Sequence, residues 1–436
     1  MKVSVFGLWH LGSVTSACLA DCGHEVIGVD ENFDVVEKLS SGMAPLFEPG
    51  LDQLVNQGIE SEKLRFSIIE KEAFCGAEVV WITHDTPVDD NDVADVDYVI
   101  NQVISIISFL SKNTLVLVSS QLPVGTIKRL EQFAIENQPQ LNLQFACSPE
   151  NLRLGQAIKV FNEPDRIIVG VRGQDSKSVL SKLLLPISDS IEWMSIESAE
   201  MTKHAINAFF ATSIAFTNEI ATICEVVGAS AKDVERGLKS EIRIGPKAYV
   251  SPGKAFAGGT LARDIDFLSL AGANNNLMTH LLSSVRPSND GHKNWVRQKL
   301  LHHFGSVQNK TIAIWGLTYK PGTDTLRRSL SVELCDWILL KGGKINVYDP
   351  VVENLPNHWN KGVKKYSSAI DTLIDSDVLI VATEWPELKK FAIDIVDSGD
   401  NNNLIVIDAS GYLKDTLANV AKKYYVVGET ILKENI

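Results

Sequence analysis

The sequence predicts an α/β protein with two doubly wound lobes that are joined by a long central helix. Three observations predict this fold. Short β-branched runs alternate with helix-length segments in the first part of the chain. One helical pattern with few strand signals then runs from Glu197 to about Val227. The alternation of strands and helices resumes after about Lys310, which predicts a second α/β lobe.

The strand-like runs are KVSVFG, HEVIGVD, EVVWIT, TLVLVSS and FACSPE in the first lobe, and KTIAIWG, KINVYDP, VLIVATEW and LIVIDAS in the second. The segments between them are long enough for crossover helices, which is typical of a parallel sheet covered on both faces. Both lobes begin alike, with KVSVFG leading to HEVIGVD and KTIAIWG leading to GKINVYDP. This favours one Rossmann-like, mononucleotide-binding plan used twice, although two sheets obeying the same local rules would also explain it.

The changes between strand–helix alternation and a continuous helical pattern predict three segments. An N-terminal Rossmann-like domain spans residues 1–197, a central helical connector spans 198–300, and a C-terminal Rossmann-like domain spans 301–436. The connector would carry a cleft between two nucleotide-binding edges, where a cofactor and a nucleotide-linked ligand are expected to meet.

Composition indicates how many domains the chain can form and argues against several classes of partner and site. With 436 residues, 45% hydrophobic and 22% charged, the chain has enough apolar residues for two or three packed domains. A net charge of −13 argues against nucleic acid as a partner. Six scattered cysteines without a CxxC pair argue against a disulfide framework or a zinc site and fit a reducing cytoplasm. The apolar run Ala205–Cys224 contains two asparagines and Glu219, which predicts a buried core helix rather than a membrane span.

A glycine turn follows the first strand. In a dinucleotide-binding turn the first glycine allows the tight bend, the second lets the backbone approach the pyrophosphate, and the third allows close helix packing. Gly7 and Gly12 hold the outer positions, and Trp9 stands at the middle one. Asp30 ends the next strand, where a carboxylate accepts hydrogen bonds from the adenosine ribose, and this favours NAD over NADP. The alternative is a turn of this shape that binds no cofactor.

Several longer stretches occur in a fixed order along nearly the whole chain. They are GMAPLFEPGL at 42–51, TP at 86–87, SQLPVGT at 120–126, SPENLRLG at 148–155, a helix from 200 to 219 with Lys203 and Asn207, RIG at 243–245, FAGGTLARD at 256–264, GLTYKPGTDTLR at 316–327 and TEW at 383–385. These stretches resemble, in the same order, the motifs of the UDP-glucose/GDP-mannose dehydrogenase family. Each one is weak alone, but their joint order identifies the chain as a divergent member.

The resemblance implies an NAD-dependent enzyme that oxidises the C6 alcohol of a nucleotide-diphosphate sugar to a carboxylate by two hydride transfers, with a cysteine holding the aldehyde. It also implies a cytoplasmic homodimer, without a membrane partner, that serves polysaccharide biosynthesis. The catalytic positions it implies are Glu150, Lys203, Asn207, Thr260 and Asp264. The cofactor-binding positions are Gly7, Leu11, Gly12, Asp30, Thr86, Gln121, Arg263 and Arg327. The substrate-binding positions are Asn151, Leu152, Arg153, Tyr249, Phe256, Gly258 and Lys320.

Part of this chemistry can be inferred from the residues themselves. Lys203 and Asn207 are four residues apart, hence on one helix face, and offer a cation and an amide to a developing oxyanion. Gly258 and Gly259 let the backbone close on a ligand, and Asp264 can orient or deprotonate a hydroxyl or a water. An ordinary solvated helix face and a plain glycine loop are the alternatives.

The chain departs from the family pattern at the nucleophile. Thr260 stands where the cysteine belongs, and none of the six cysteines lies within thirty residues of it. A threonine hydroxyl lacks the accessible anion that makes a thiol an effective nucleophile. Gln121 replaces a loop threonine, Leu154 replaces a glutamate, and Asp85 replaces a proline. The set indicates a retained scaffold with changed chemistry.

Three functions follow from these departures. The first is an oxidoreductase that performs one two-electron oxidation, at C6 or at another hydroxyl, and releases a carbonyl product. The second is the full four-electron oxidation, in which the aldehyde reacts as its hydrate without a covalent intermediate. The third is a non-catalytic protein that binds a nucleotide sugar or NAD, which is favoured if Trp9 blocks the pyrophosphate.

Overall fold

The computed structural model describes residues 1–89, 93–149, 152–257, 259–359, 361–398 and 404–429. The chain forms two compact units, Met1–Ile206 and Asn207–Ile436. One helix, Ile196–Val227, runs from the first unit into the second. The predicted fold class, two parallel-sheet lobes joined by a long helix, is therefore confirmed. The predicted boundary at 300 falls inside the helix Trp295–Phe304, and the three-segment division stays a prediction.

The first unit contains one sheet of eight strands. They are β1 Lys2–Phe6, β2 Glu25–Asp30, β3 Leu64–Ile68, β4 Val79–Ile82, β5 Leu115–Val118, β6 Gln144–Cys147, β7 Ile167–Val171 and β8 Ile191–Met194. Their order across the sheet is β3-β2-β1-β4-β5-β6-β7-β8. Strands β1 to β6 are parallel, and β7 is antiparallel to β6. The carboxyl ends of β1, β2, β4 and β5 therefore meet at one edge, where a ligand is expected to bind.

Helices cover this sheet on both faces. They are α1 His10–Asp21, α2 Phe33–Ser40, α3 Leu51–Glu60, α4 Lys71–Phe74, α5 Val96–Ile106, α6 Thr126–Asn137, α7 Ala157–Asn162 and α8 Gln174–Leu184, with 3₁₀ turns at Ile107–Phe109 and Pro139–Leu141. Alternate residues of β1 enter different cores: Val3 and Val5 pack on one face, and Phe6 packs on the other. A strand that is buried on both faces reads as a continuous apolar run, which explains KVSVFG.

The long helix α9, Ile196–Val227, is followed in the second unit by a helical region and then by a six-stranded sheet. The elements are α10 Ala231–Ser240, α11 Thr260–Asn274, α12 His280–Lys293, α13 Trp295–Phe304, β9 Thr311–Trp315, α14 Leu330–Leu340, β10 Lys344–Tyr348, β11 Val363–Lys365, a 3₁₀ turn Ile370–Leu373, β12 Val378–Val381, α15 Leu388–Ser398, β13 Ile405–Ile407, α16 Lys414–Leu417 and β14 Lys423–Tyr425. The all-parallel order β11-β10-β9-β12-β13-β14 repeats the first six positions of the other sheet. This supports the interpretation of one plan used twice.

Helix α9 is less buried than its sequence predicts. Within the described residues it is the one helix long and apolar enough to cross a membrane, and 33% of its most apolar stretch is buried. Phe209, Phe216, Ile223 and Val227 are between 49% and 67% exposed. The prediction of a buried core helix is therefore wrong for this face, because an apolar helical pattern does not by itself show that every apolar residue packs inside the chain.

Candidate active site

The turn after β1 requires glycine at both of its outer positions. Gly7 has a φ of +99°, and a Cβ there would lie 2.8 Å from the ring of His84. A Cβ on Gly12 would lie 1.8 Å from the carbonyl oxygen of Gly7. The backbone thus bends sharply and helix α1 packs closely against the turn, as dinucleotide binding demands.

The middle position of the turn accepts Trp9 without backbone strain. Its φ of −71° and ψ of −153° are open to any residue, and the residue is 46% exposed. The first helical hydrogen bond, from Ser13 N to Trp9 O, spans 2.9 Å. The N–H groups of His10, Leu11 and Gly12 precede this bond and are not used by the helix. Such groups at a helix N-terminus form an anion site, which fits the NAD pyrophosphate.

Asp30 lies beside this turn at the end of β2. Its Oδ2 accepts a hydrogen bond from Leu8 N at 2.6 Å, and its Oδ1 accepts one from Asn32 N at 2.9 Å. A carboxylate offers about four acceptor sites, so these contacts fix its orientation and leave capacity for the ribose hydroxyls. The glycines, the helix terminus and this carboxylate together fit NAD.

The loops after β4 and β5 meet at the same edge. Thr86 Oγ1 donates a hydrogen bond to Gln121 O at 2.7 Å, so these two predicted cofactor-binding residues are adjacent. His84, which the sequence analysis did not single out, packs edge-on against Phe6 with ring centroids 4.4 Å apart. Burial lowers the pKa of His84 to about 4, although Asp30 and Glu31 act in the opposite direction. In the sequence, the indication that His84 belongs to this edge was its position just after the buried strand β4.

The start of helix α9 holds the loop after β5. Glu200, which is buried, accepts hydrogen bonds from Gly125 N at 2.7 Å and Ile127 N at 3.2 Å at the start of α6. Burial raises the pKa of Glu200, and these two backbone bonds oppose the rise. His204 Nε2 donates to Leu122 O at 2.8 Å. Lys203 lies between these two anchors and lines a small cavity together with Gln121.

The predicted substrate-binding segment is described in part. Glu150, Asn151 and Gly258 lie outside the described residues. Leu152 lines an apolar cavity of the first unit together with Leu11.

Arg153 is exposed, and its carbonyl oxygen accepts a hydrogen bond from Gln156 N at 2.9 Å. The side chains of Arg153 and Leu152 therefore face different surroundings, one in solvent and the other in the cavity.

In the second unit the structure brings Asn207 and Asp264 together. Asn207 Nδ2 donates to Asp264 Oδ2 at 2.5 Å, and Asp264 is fully buried. Thr260 is exposed at the first position of α11 and follows Gly259, whose φ is +102°. Arg263 N donates to Gly259 O at 2.9 Å. One helical turn of α11 therefore carries Thr260, Arg263 and Asp264.

Two buried asparagines and one half-buried histidine hold the segment before Thr260, and sequence reasoning assigned none of them to the site. Asn289 binds both backbone groups of Phe256 at 2.9 Å. Asn218 Oδ1 accepts from Gly253 N at 3.0 Å, and His292 Nε2 donates to Gly253 O at 2.8 Å. Burial lowers the pKa of His292, although its hydrogen bond to Gly253 O and the charge of Glu225 act in the opposite direction. For Asn218 the available signal was a polar residue inside the apolar pattern of α9, whereas the polar sequence of α12 gave no such signal for Asn289 and His292.

The remaining predicted residues lie on surface loops of the second unit. Arg327 is exposed, and the Lys320 ammonium lies 5.6 Å from the ring centroid of Tyr319. Tyr249 is exposed, with its ring 5.5 Å from that of Phe210.

Arg328, which sequence reasoning missed, has a φ of +61°, uncommon for a residue with a side chain. Its Nη1 lies 3.3 Å from where a Cβ on Gly259 would stand. A cation therefore lies beside the start of α11.

Comparison with known proteins agrees with these features. The NAD binding domain of the UDP-glucose/GDP-mannose dehydrogenase family matches residues 1–188, its central domain matches 197–291, and its UDP binding domain matches 313–415.

The UDP-glucose 6-dehydrogenase of Rhizobium meliloti (strain 1021) is 32% identical, over 98% of this chain and 99% of that protein. The UDP-glucose 6-dehydrogenase YwqF of Bacillus subtilis (strain 168) is 30% identical, over 98% of each chain. The solved structure of a UDP-glucose dehydrogenase from Pyrobaculum islandicum has a TM-score of 0.87 at 26% identity and covers 98% of each chain. The chain therefore belongs to the UDP-glucose/GDP-mannose dehydrogenase family and is an NAD-dependent nucleotide-sugar dehydrogenase.

Proposed function

We propose that the protein oxidises the C6 hydroxyl of a UDP-linked sugar such as UDP-glucose and releases the aldehyde after one hydride transfer. The substrate class rests on the names of the relatives and on the match to a UDP binding domain. The proposal that oxidation ends at the aldehyde rests on one observation. Thr260 occupies the first position of α11, where the family pattern has a cysteine.

Neither thiol in the described part of the second unit can substitute for the missing cysteine. Cys224 and Cys335 belong to a different hydrophobic core, with exposures of 4% and 0%. Burial raises the pKa of the Cys335 thiol, which suppresses the reactive thiolate. Since a covalent thiohemiacetal would hold the aldehyde for a second oxidation, its absence favours release.

The side chains suit a single oxidation. When bound, NAD accepts the hydride. The substrate loses a C–H hydrogen as hydride and its O–H proton to a base, so one alcohol and one NAD give one aldehyde, one NADH and one proton. Asp264, held by Asn207, is the proposed base, acting directly or through a water. Lys203, four residues before Asn207 in α9, is proposed to stabilise the developing alkoxide.

The test is to count the NADH formed per UDP-glucose consumed and to trap the product with hydrazine. We expect one NADH per sugar and a trapped carbonyl. Two NADH and a UDP-uronic acid would overturn the single oxidation and favour the hydrate route. A failure of NAD to bind, even with UDP-glucose present, would overturn the oxidoreductase function on this substrate.

Variants separate the proposed roles. Lys203→Ala should lower kcat by roughly a hundredfold, as loss of one preorganised donor does, with an unchanged urea unfolding midpoint. Thr260→Ala should stay within a few-fold of the native kcat, because the hydroxyl forms no covalent bond. Near-native turnover of Lys203→Ala would remove Lys203 from the catalytic group.

We also propose a cytoplasmic homodimer formed through helix α9. Phe209, Phe216, Ile223 and Val227 recur at spacings of seven, seven and four, so they form one exposed apolar stripe. A second copy of the chain presents the same stripe, which allows a twofold symmetric contact.

Light scattering should give about twice the 47.9 kDa of one chain for the native protein. Phe216→Glu should give the monomer mass, because the introduced carboxylate would be buried in the contact. The control Val93→Glu, at an exposed position of the first unit, should leave the mass unchanged. A native monomer, or a dimeric Phe216→Glu variant, would contradict this assembly.

A further inference from the structure

One buried carboxylate connects the NAD turn to the predicted substrate segment. Glu48 lies in the loop before α3, and its side chain is 1% exposed. Its Oε2 accepts hydrogen bonds from His10 Nε2 at 2.9 Å and from Gly155 N at 2.7 Å. Its Oε1 accepts one from Ala157 N at 2.8 Å. Three donors from two separate segments thus converge on one carboxylate.

The two segments serve different ligands in the proposed function. His10 is the first residue of α1, and its backbone N–H belongs to the set that fits the pyrophosphate. Gly155 and Ala157 end the segment that carries Leu152 and Arg153, and they lead into α7. In sequence, His10 and Gly155 are far apart, and the Glu48 side chain is a direct polar connection between them.

A buried carboxylate holds its donors together, because losing any one of them leaves a desolvated charge less satisfied. A movement of residues 155–157 therefore shifts the position of His10 through the Glu48 carboxylate. In the same way, a movement of the first turn of α1 shifts the position of residues 155–157. The imidazole is the one side-chain donor among the three, so a substitution of His10 can cut the connection without changing the backbone.

We infer that His10 and Glu48 are positioning residues that couple NAD binding to nucleotide-sugar binding. A ligand that orders residues 152–157 favours the binding-competent form of the α1 turn, and by linkage NAD favours sugar binding by the same factor. This inference rests on the proposed function, because it requires both ligands to bind.

The experiment is calorimetric titration of NADH into the protein, with and without saturating UDP-glucose. NADH and UDP-glucose cannot react with each other, so the mixture is stable. For the native chain we expect UDP-glucose to tighten NADH binding by a factor within the roughly 5- to 150-fold range of typical couplings. In the His10→Ala and Glu48→Gln variants, UDP-glucose should change the NADH affinity by no more than about twofold.

Two further variants serve as controls. His10→Gln keeps an N–H donor within reach of Glu48 and should retain most of the factor. Arg172→Gln removes two ion pairs elsewhere in the first unit, in which Arg172 contacts Glu131 at 2.7 Å and Glu197 at 2.8 Å, and should retain the native factor.

The outcomes separate this inference from the proposed function. Failure of the native protein to bind either NADH or UDP-glucose would overturn the proposed function. Binding of both ligands with a native factor of one, or with a factor that His10→Ala leaves unchanged, would overturn the coupling alone. If Glu48→Gln does not fold, the His10→Ala result decides.

Discussion

At the scale of single residues, His84 makes part of the stability of the first unit sensitive to acid. Its folded-state pKa of about 4 lies below the ordinary value of 6.5, because burial disfavours the charged ring. The unfolded chain therefore binds the proton more readily between these values. Stability from this group is complete above about pH 6.5 and is lost as the pH falls toward 4, by roughly 3 kcal/mol.

Urea unfolding of native protein and His84→Val at pH 7 and pH 4.5 tests this. The native free energy of unfolding should fall more between the two pH values than that of the variant. Equal losses in both proteins would show that His84 does not titrate with the lowered pKa.

Residue types at motif positions could be predicted from sequence, but their environments could not. The ordered motifs placed Lys203 and Asn207 on one helix and Asp264 after the glycine loop, and the structure adds helix α11 around Asp264 and the bond from Asn207 to Asp264. The burial of His84 depends on Phe6, 78 residues away in the chain. The position of Arg328 beside Gly259 likewise depends on a contact between distant segments. Such contacts form only when the chain folds, and no local pattern records them.

At the scale of elements, helix α12 should hold the segment before Thr260 in its active shape. Asn289 is 2% exposed and satisfies both the N–H and the carbonyl of Phe256. Asn289→Ala leaves two buried backbone groups without this partner, at about 1–3 kcal/mol each. We expect a lower urea midpoint and a lower kcat for NADH formation.

The matched control is Asn275→Ala, which removes an exposed side chain that bonds to Ala271 O. It should leave both the midpoint and kcat close to native values. An Asn289→Ala variant with native kcat would show that the segment keeps its shape without α12.

Most central strands could be predicted from sequence, whereas the edge strands and the interior strand β7 were missed. The apolar runs of β1, β4 and β5 are buried on both faces, which gives them a clear β-branched signal. Strands β11 and β14 have three residues each and lie at the two edges of the second sheet. Pairing with one neighbour, rather than their own composition, makes these segments strands.

At the scale of the whole molecule, the two sheets share their strand order but differ in the chemistry of their first turns. Gly316 has a φ of +93° and follows β9 as Gly7 follows β1. Asp349 then takes the place of Asp30, with Oδ2 accepting from Leu317 N at 2.7 Å and Thr318 N at 3.2 Å. It also accepts from Trp385 Nε1 at 3.3 Å and from Val351 N and Val352 N at 3.1 and 3.2 Å.

This saturated carboxylate predicts one NAD site per chain. Asp349 is 5% exposed and already has five donors, so it has no capacity for a ribose. In addition, α14 begins at Leu330, so within residues 316–329, all of which the structure describes, no helix N-terminus follows the second turn. Asp30, by contrast, is partly exposed and is bound by two backbone donors.

Calorimetry should therefore give a stoichiometry of one NAD per chain. Asp30→Ala should weaken NAD binding by tenfold or more, because about 1.4 kcal/mol corresponds to a factor of ten and hydrogen bonds to a charged group contribute about 1.5–3 kcal/mol each. UDP should bind Asp30→Ala as it binds the native protein. The control Asp34→Ala, in the exposed first turn of α2, should bind both ligands normally. Two NAD per chain would show that the second turn also holds a dinucleotide, and native NAD affinity in Asp30→Ala would remove Asp30 from the cofactor site.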